Sequence, residues 1–471
     1  MRTFMLIGTL YWSAVCAKPA PLVSDLHRRQ SNNVASLDYL NLFSGFLYTV
    51  NISIGTPPQQ LMAALDTGSP YLILSNPGSE FCQQVGQPCS TFGSYDPSLS
   101  SSAIWISDDM DVIYELSKDS GSWLNDSLTI GDLTIASFPV GTANGSSTAD
   151  PQNWFGLNGP GSEGPASQAS SLQIMAQAGV LESASVGIFS GPLSDSVGQV
   201  VFGGLDTSKW QGDVQVLPIV KNDGGQILVS LTSIAVADSN VASPGLPVDV
   251  MIDTGNFDIK LPQDIVDGVW AQVDGLQTFN VTVGDTTLPY GVCDCNLAQS
   301  SKTFIFGFDG ISIEVPISDM VVLPSALLLQ NLGVSDFPED TCVFMINGWG
   351  PTPPVYHSYI LGDAFLRSAY FILDWDSNEV GLGQANNADS SPNIIPIAAG
   401  TSGLRDAISG TSKAMTQPSA QPSASSSDPS PAASVSTAPS TEPTSNSASL
   451  ILVSNAYFVS AILMGILDFF M

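Results

Sequence analysis

The stretch "AALDTGSPYLIL", residues 63–74, sets one acidic residue, Asp66, in an apolar run that is typical of a β-strand. Burying an ionised carboxylate is costly, so such an acid needs hydrogen-bond partners or a shifted pKa. A single Asp-Thr-Gly is also a common turn, in which Asp caps the backbone and Gly adopts a positive φ. The rest of the chain decides whether Asp66 is a turn residue or a functional acid.

A second copy of the pattern, "VMIDTGNFDIKLP", spans residues 250–262 and contains Asp253. A strand-like run precedes each copy, and an apolar pair ending in glycine follows it. Gly156 lies 90 residues after Asp66, and Gly362 lies 109 residues after Asp253. Three elements that recur in the same order indicate an internal repeat of about half the chain.

Strand signals dominate the whole sequence. Short runs rich in Val, Ile, Thr and Phe alternate with Gly, Pro, Asn and Asp, and this pattern predicts many short strands. Helical patterns are few, and we expect helices at residues 169–181 and 324–334. Together with the repeat, these signals predict a mostly β protein of two lobes.

A pair of carboxyl groups facing each other across the lobe boundary accounts for Asp66 and Asp253. Like charges a few ångströms apart cannot both ionise, so the pair holds one proton and titrates as a unit. The ionised member can take a proton from water while the protonated member gives one to a carbonyl oxygen. The repeat therefore predicts hydrolysis of peptide bonds without a covalent intermediate.

The charge balance excludes other classes of protein. The 471 residues contain 43 Asp and Glu against 12 Lys and Arg, which argues against nucleic-acid binding because phosphate contacts need a basic face. With two histidines, His27 and His357, and no G-x-S-x-G pattern, a Ser-His-Asp triad or a His-rich zinc site is hard to build. No metal or organic cofactor is expected. The excess of acidic residues is explained equally well by tolerance of an acidic medium and by solubility alone.

The N-terminus reads as a targeting signal. Residues 1–17 combine an Arg, an apolar run and small residues before a cleavage point, which is typical of a signal peptide. The dibasic pair at residues 28–29 would end a short pro-segment, residues 18–29. The sequons suit a secreted glycoprotein, and they begin at Asn51, Asn125, Asn144 and Asn280.

The C-terminus predicts a surface anchor. Residues 389–449 include a Ser/Pro/Thr-rich tract that cannot bury a core and is typical of a glycosylated stalk. Residues 450–471 form an apolar tail that fits a GPI signal, with Asn446 as the candidate attachment residue. A single transmembrane helix is the alternative. Asp468 and the lack of basic residues after the tail favour the GPI signal.

Cysteine usage fits an oxidising compartment. Cys82 and Cys89 enclose a short loop and are expected to pair. Cys293, Cys295 and Cys342 leave three candidates for one further disulfide, so one thiol stays unpaired. Neither the spacing from Cys82 to Cys89 nor that from Cys293 to Cys295 is typical of a zinc site.

The chain resembles the pepsin-like aspartic proteases from about Tyr48 to Gly383. The resemblance is carried by "SIGTPPQQLMAALDTGS" (53–69), "VVFGGLDTSKWQGDVQVLPI" (200–219) and "YILGDAFLRSAYFILDWDSNEVGLG" (359–383). With the leader, stalk and tail, the chain is most similar to the fungal, GPI-anchored, yapsin-like branch. The resemblance implies a bilobal pepsin-like fold, with two β-barrel-like lobes at 30–210 and 211–388 and an active-site cleft between them.

The family's site residues map onto matching positions of this chain. The resemblance implies that Asp66 and Asp253 are catalytic, that Gly156 and Gly362 complete the loops beneath them, and that Tyr114 is the tyrosine of a flap over the substrate. It also implies a disulfide between Cys295 and Cys342, with Cys293 unpaired. The residues expected to support the catalytic pair are Thr67, Gly68, Ser69, Thr254, Gly255 and Asn256.

Several positions depart from the family pattern. Asn256 and Pro70 replace hydroxyl residues, Ile73 replaces a Trp that usually hydrogen-bonds the flap Tyr, the flap reads Glu-Leu-Ser after Tyr114, and "QNWFGLN" lacks the usual Asp-Gly. We predict a secreted, cell-surface aspartic endopeptidase that acts as a monomer on peptides and proteins. The departures favour the alternative, a catalytically weak or inactive pepsin-fold binding or cell-wall protein. The candidate acidic subsite residues, which are otherwise exposed turn acids, are Glu115, Asp119 and Asp258.

Overall fold

The structure is a computed structural model. It describes residues 33–42, 47–79, 82–83, 88–114, 118–144, 153–161, 169–222, 225–236, 239–240, 245–283, 286–323, 341–349, 358–388 and 390–416. Some predicted features lie outside the described residues, namely the signal peptide 1–17, the pro-segment 18–29, the flap tip 115–117, the helix at 324–334, the tail 450–471 and Asn446.

The described part of the first half is built almost entirely from short strands. Their bounds are β1 Ala35–Leu42, β2 Leu47–Ile54, β3 Gln59–Asp66, β4 Leu72–Ser75, β5 Ile104–Ile113, β6 Lys118–Ile130, β7 Leu133–Ala143, β8 Asn153–Gly156, β9 Ser185–Phe189, β10 Val197–Phe202 and β11 Gly204–Asp206. Helix α1, Ser171–Gln177, lies within the helix expected at 169–181 and begins at a capping box between Ser170 and Gln173.

The described part of the second half repeats this construction. Its strands are β12 Trp210–Pro218, β13 Leu228–Leu231, β14 Ser233–Val236, β15 Ser239–Asn240, β16 Val248–Ile252, β17 Ile259–Pro262, β18 Gln277–Val283, β19 Thr286–Asp294, β20 Thr303–Phe308, β21 Ile311–Pro316, β22 Val321–Val322, β23 Thr341–Phe344, β24 Ile346–Trp349, β25 Tyr359–Leu361, β26 Ala369–Asp374, β27 Glu379–Ala385 and β28 Ile394–Pro396. Its helices are α2 Gln263–Trp270, α3 Asp363–Leu366 and α4 Gly403–Thr416. The predicted mostly β fold is confirmed.

One large sheet joins the two halves. Within the described residues it has 13 strands in the order β12-β27-β26-β9-β10-β1-β2-β3-β8-β4-β7-β6-β5. Strand β26 from the second half pairs antiparallel with β9 from the first, with Phe371 opposite Ile188. The other second-half strands form separate sheets, among them β13-β16-β25-β17-β24. The first Asp-Thr-Gly loop therefore follows a strand of the large sheet, and the second follows a strand of the separate five-stranded sheet.

Strand β26 separates two apolar layers. Phe371 and Leu373 belong to the main core, together with Leu65 and Ile252 next to the two Asp-Thr-Gly loops. Tyr370 and Ile372 of β26 pack in a second cluster on the opposite face. Because successive side chains of a strand point to opposite faces, one face of β26 packs against the main core and the other packs against the chain's C-terminal extension.

This extension corrects the predicted start of the stalk at residue 389. Residues 394–396 form β28 and pair with β11, and helix α4 follows at 403–416. Ile397 and Leu404 are fully buried in the second cluster, and these apolar residues explain why the segment folds onto the sheet. The Ser- and Pro-rich composition that defines the stalk starts only after the helix.

Two disulfides are present. One joins Cys82 to Cys89 and the other joins Cys295 to Cys342, with Cα–Cα distances of 5.2 and 4.9 Å. Among the described cysteines Cys293 is free, and it is buried. Burial raises the pKa of its thiol to about 11, which disfavours the reactive thiolate.

The asparagines of all four sequons are among the described residues. Asn51 and Asn144 are exposed, Asn125 is half-buried on β6, and Asn280 lies on β18. In the ranges that the structure describes, no helix is both long enough and apolar enough to cross a membrane.

Stability is expected to fall as the pH rises from about 4 to about 6, because of buried carboxyl groups such as Asp374. Burial raises the pKa of Asp374 from 3.8 to about 6, so the folded protein keeps a proton that the unfolded chain has already released. The contribution of Asp374 to the free energy of unfolding is therefore full at low pH. It falls by up to about 3 kcal/mol as the pH rises through this window.

Unfolding free energies at pH 4 and pH 6.5 test this expectation. The Asp374→Asn variant should lose less stability than the wild type over this range, while the exposed control Asp213→Asn should follow the wild type. A wild-type pH dependence in Asp374→Asn would contradict the assignment.

Candidate active site

Both Asp-Thr-Gly loops follow directly from buried strands. Asp66 is the last residue of β3, and Asp253 follows the last residue of β16. Strand β3 runs parallel to β8 with Asp66 opposite Gly156, and β16 runs parallel to β25, which ends just before Gly362. The two Asp residues are 5% and 7% exposed. The internal repeat of the sequence is therefore a repeat of local structure.

The threonines of the two loops hold the lobes together. The Thr67 N–H donates to Thr254 Oγ1 at 3.1 Å, and the Thr254 N–H donates to Thr67 Oγ1 at 2.9 Å. Each hydroxyl also donates across the boundary at 2.8 Å, Thr67 to the carbonyl of Ile252 and Thr254 to the carbonyl of Leu65. All four bonds are buried, so the loops form one hydrogen-bonded unit with near two-fold symmetry.

The glycines bring the two carboxyl groups together. The N–H of Gly68 donates to Asp66 Oδ1 and the N–H of Gly255 donates to Asp253 Oδ1, both at 2.8 Å. A Cβ on Gly68 would stand 2.7 Å from both carboxylate oxygens of Asp253, and a Cβ on Gly255 would overlap Asp66 Oδ1. Each carboxyl group therefore lies against the glycine of the opposite loop.

Burial sets the electrostatics of this pair. Burial raises the pKa of Asp66, and the hydrogen bond from Gly68 opposes the rise in part. A neighbouring carboxylate makes full ionisation of the pair costly, because two like charges would then share a site with little water. The geometry suits a pair that holds one proton over the acidic range.

The loops below the pair are closed in the same manner on both sides. The Gly156 N–H donates to the Tyr71 carbonyl at 2.7 Å, and the Gly362 N–H donates to the Asp258 carbonyl at 3.1 Å. A Cβ on Gly156 would overlap the Tyr71 backbone, and one on Gly362 would overlap the Asn256 and Asp258 carbonyls. Only glycine fits at either crossing.

The remaining predicted support residues lie next to the pair. Ser69 is buried, and its carbonyl accepts the Asn158 N–H at 3.0 Å. The side-chain oxygen of Asn256 accepts the Asp258 N–H at 3.2 Å, and its carbonyl accepts the Asp363 N–H at 2.7 Å. Asn256 thus supports the second loop as a turn residue.

Tyr114 lies at the end of the β5–β6 hairpin. Its ring packs against a cluster that contains Tyr71, Ile73 and Trp123. Tyr71 and Ile73 follow the first Asp-Thr-Gly loop in the chain. The ring centroid of Trp154 is 5.9 Å from that of Tyr114. The hairpin is therefore connected by apolar packing to the strand that leads away from Asp66.

Two of the candidate subsite acids are not exposed turn acids. Asp119 is 2% exposed on β6, and Asp258 is fully buried. The amide of Asn347 donates to Asp258 Oδ2 at 2.9 Å, and Lys260 Nζ lies 3.8 Å from Asp258 Oδ1. These contacts make Asp258 part of a buried polar cluster in the second half.

Sequence reasoning missed Asn153, which replaces part of the family's Asp-Gly. Asn153 is fully buried, and its side-chain oxygen accepts the Ser75 N–H at 3.0 Å. Its amide donates to the carbonyls of Met62, Phe92 and Gly93 at 3.0–3.2 Å. The side chain fixes β8, and with it Gly156. The departure at "QNWFGLN" is visible in the sequence, but the hydrogen-bond partners of Asn153 are distant in the chain.

Sequence reasoning also missed a buried charge cluster below Asp253. Burial raises the pKa of Asp363 well above its usual range; the Arg367 guanidinium opposes this rise and the Asp253 carboxylate adds to it. Arg367 is 1% exposed and donates to the Asp319 carbonyl at 2.6 Å. An acid and an arginine four residues apart in the apolar segment 359–373 were the signal that could have revealed it.

The described residues contain no group of three or more His, Cys, Asp and Glu side chains arranged to hold a metal ion.

Comparison with known proteins agrees with this geometry. The family model for eukaryotic aspartyl proteases matches residues 47–385, well over half of the chain. A probable aspartic-type endopeptidase opsB of Aspergillus oryzae is 29% identical over 392 residues, which cover 81% of this chain and 76% of the relative. Secreted aspartic protease 3 of Candida albicans is 27% identical over 351 residues, covering 73% of this chain and 81% of the relative. The chain therefore belongs to the eukaryotic aspartyl protease family.

Proposed function

We propose that this aspartyl protease is a secreted endopeptidase whose catalytic groups are the carboxyls of Asp66 and Asp253. The observation that carries the proposal is their placement: each buried carboxyl group lies against the glycine of the opposite loop, and the cross-boundary threonine bonds hold both loops. A pair of carboxyl groups that shares one proton contains both a general base and a general acid.

Hydrolysis then proceeds by direct attack of water. The ionised carboxylate takes a proton from a water molecule held between the two groups, and the water oxygen attacks the carbonyl carbon of the peptide. The protonated carboxyl gives its proton to the carbonyl oxygen, which forms a neutral tetrahedral intermediate. One carboxyl group then gives its proton to the amide nitrogen while the other takes a proton from a hydroxyl of the intermediate. The C–N bond breaks to give a carboxylic acid and an amine, and the pair is left with one shared proton.

The β5–β6 hairpin serves as the flap in this proposal. Tyr114 lies at its end and is connected through Ile73 and Tyr71 to the loop of Asp66. Closing such a hairpin over an extended peptide excludes water and positions the scissile bond. The substrates are therefore peptides and unfolded or extended segments of proteins.

The proposed location is the cell surface, with attachment through a GPI anchor to the membrane or cell wall. The leader at 1–17, the dibasic site at 28–29 and the tail at 450–471 support this location, and the Candida relative is named a secreted protease. A chain truncated after residue 449 is expected to leave the cells and accumulate in the medium. A truncated chain that stays on the cells would contradict the anchor.

Digestion of a mixed peptide library by the purified protein from pH 3 to pH 7 tests the catalytic proposal. We expect cleavage that is fastest in acid and that pepstatin, an inhibitor of aspartic proteases, suppresses. A folded and fully processed sample that cleaves nothing at any pH would overturn the proposal and favour a pepsin-fold binding or wall protein. The departures at Asn256, Ile73 and residues 115–117 would then be the first positions to revert.

A further inference from the structure

The indole of Trp154 lies beside the flap tyrosine. The ring centroids of Tyr114 and Trp154 are 5.9 Å apart and their planes are inclined by 33°, which is the geometry of an interacting aromatic pair. Tyr114 precedes the tip of the hairpin, whose two strands meet with Ile113 opposite Lys118. Trp154 therefore contacts the flap at the point where the hairpin turns.

Trp154 stands on a fixed part of the backbone. The preceding residue, Asn153, holds β8 through four side-chain hydrogen bonds. The following residue, Phe155, is fully buried, and Gly156 pairs with Asp66. The position of Trp154 is thus set by the same strand that closes the loop of the first carboxyl group.

The indole also joins two apolar clusters. One contains Ile73 and Tyr114, and the other contains Ala64 and Phe92. A side chain that packs on both clusters has little freedom to move, since either contact would be lost. In the aromatic pair, Trp154 is therefore the member that is held in place from both sides.

The register explains how Trp154 reaches this place. Ile73 on β4 and Trp154 on β8 are directly opposite each other in an antiparallel pair, and opposite residues share a face of the sheet with Cβ atoms about 5 Å apart. The aromatic side chain that is missing at Ile73 is therefore present on the neighbouring strand, on the same face.

We propose that Trp154 is a positioning residue that holds Tyr114, and with it the flap, over the two carboxyl groups. The inference rests on the proposed function, because it concerns how that site closes. Trp154 acts through the tyrosine ring and touches no reacting atom. Loss of the indole removes the aromatic contact that fixes the ring of Tyr114.

A double-mutant cycle separates positioning from simple packing. Trp154→Leu is expected to lower kcat/KM for peptide cleavage about tenfold, and Trp154→Phe, which keeps a ring, to retain most of it. In a Tyr114→Leu background the same Trp154→Leu change is expected to cost less than about twofold, because the partner ring is already gone. Equal losses in both backgrounds would overturn the inference.

A matched control is Trp210→Leu. Trp210 is buried, with its ring 5.1 Å from that of Tyr370 in the second apolar cluster, on the opposite face of β26. We expect this change to lower stability without altering kcat/KM. If Asp66→Asn abolishes cleavage but the losses in kcat/KM from Trp154→Leu and Tyr114→Leu are additive, only this inference is overturned. Cleavage that survives Asp66→Asn would overturn the proposed function instead.

Discussion

Asp66→Asn and Asp253→Asn are each expected to lower kcat/KM for peptide cleavage by about 10³-fold or more. Asparagine has nearly the shape of aspartate, and its carbonyl oxygen can still accept the N–H that Gly68 or Gly255 now donates at 2.8 Å. The amide can neither take a proton from water nor give one to the substrate. The loss should therefore fall on kcat.

The control for this prediction is Asp249→Asn. Asp249 is an exposed acid on β16, four residues before Asp253, so the change removes one carboxyl group from the strand that leads to Asp253. We expect full activity from it. Unfolding midpoints close to wild type in all three variants would show that the loss is chemical. An Asp66→Asn or Asp253→Asn protein with near wild-type cleavage would contradict the assignment.

Gly68→Ala and Gly255→Ala are each expected to lower kcat/KM by about 10²-fold. A Cβ at Gly68 would lie 2.7 Å from both oxygens of Asp253, and a Cβ at Gly255 would overlap Asp66 Oδ1. The new methyl must push the opposite carboxyl group aside or separate the two loops. Either movement disturbs the pair, even though both carboxyl groups remain.

Peptide cleavage and unfolding midpoints of these variants check the prediction, with Gly410→Ala as the control. A Cβ at Gly410, in helix α4, would meet no atom within 4 Å, so activity should not change. Wild-type kcat/KM in both loop variants would show that the carboxyl groups do not depend on this close approach.

Much of the fold follows from the sequence. The two copies of Asp-Thr-Gly, each with a strand before it and a glycine element after it, predicted the repeat that the structure shows around Gly156 and Gly362. Such patterns are readable because strand periodicity depends on adjacent residues, and because only glycine fits where two backbone segments cross closely. The carboxyl pair itself was predictable from the cost of burying Asp66 and Asp253.

Other features needed the structure because their partners are distant in the chain. Trp154 meets Tyr114 through the pairing of β4 with β8, and a sequence does not state which strands are neighbours. Asp258 reads as an exposed turn acid, yet Asn347 bonds it in a buried cluster. The predicted start of the stalk at residue 389 is too early, because the polar composition of this segment masks the few apolar residues near Ile397 that pack against the sheet.

The central claim is that the two carboxyl groups act as one unit, and kcat/KM of the double variant Asp66→Asn/Asp253→Asn tests it most directly. If both groups serve a single shared water, removing the second costs almost nothing once the first is gone. We expect the double variant to fold and to have about the same residual activity as either single variant. If the losses in kcat/KM of the two single variants multiply in the double variant, each carboxyl group acts without the other, and the claim that they form one unit is contradicted.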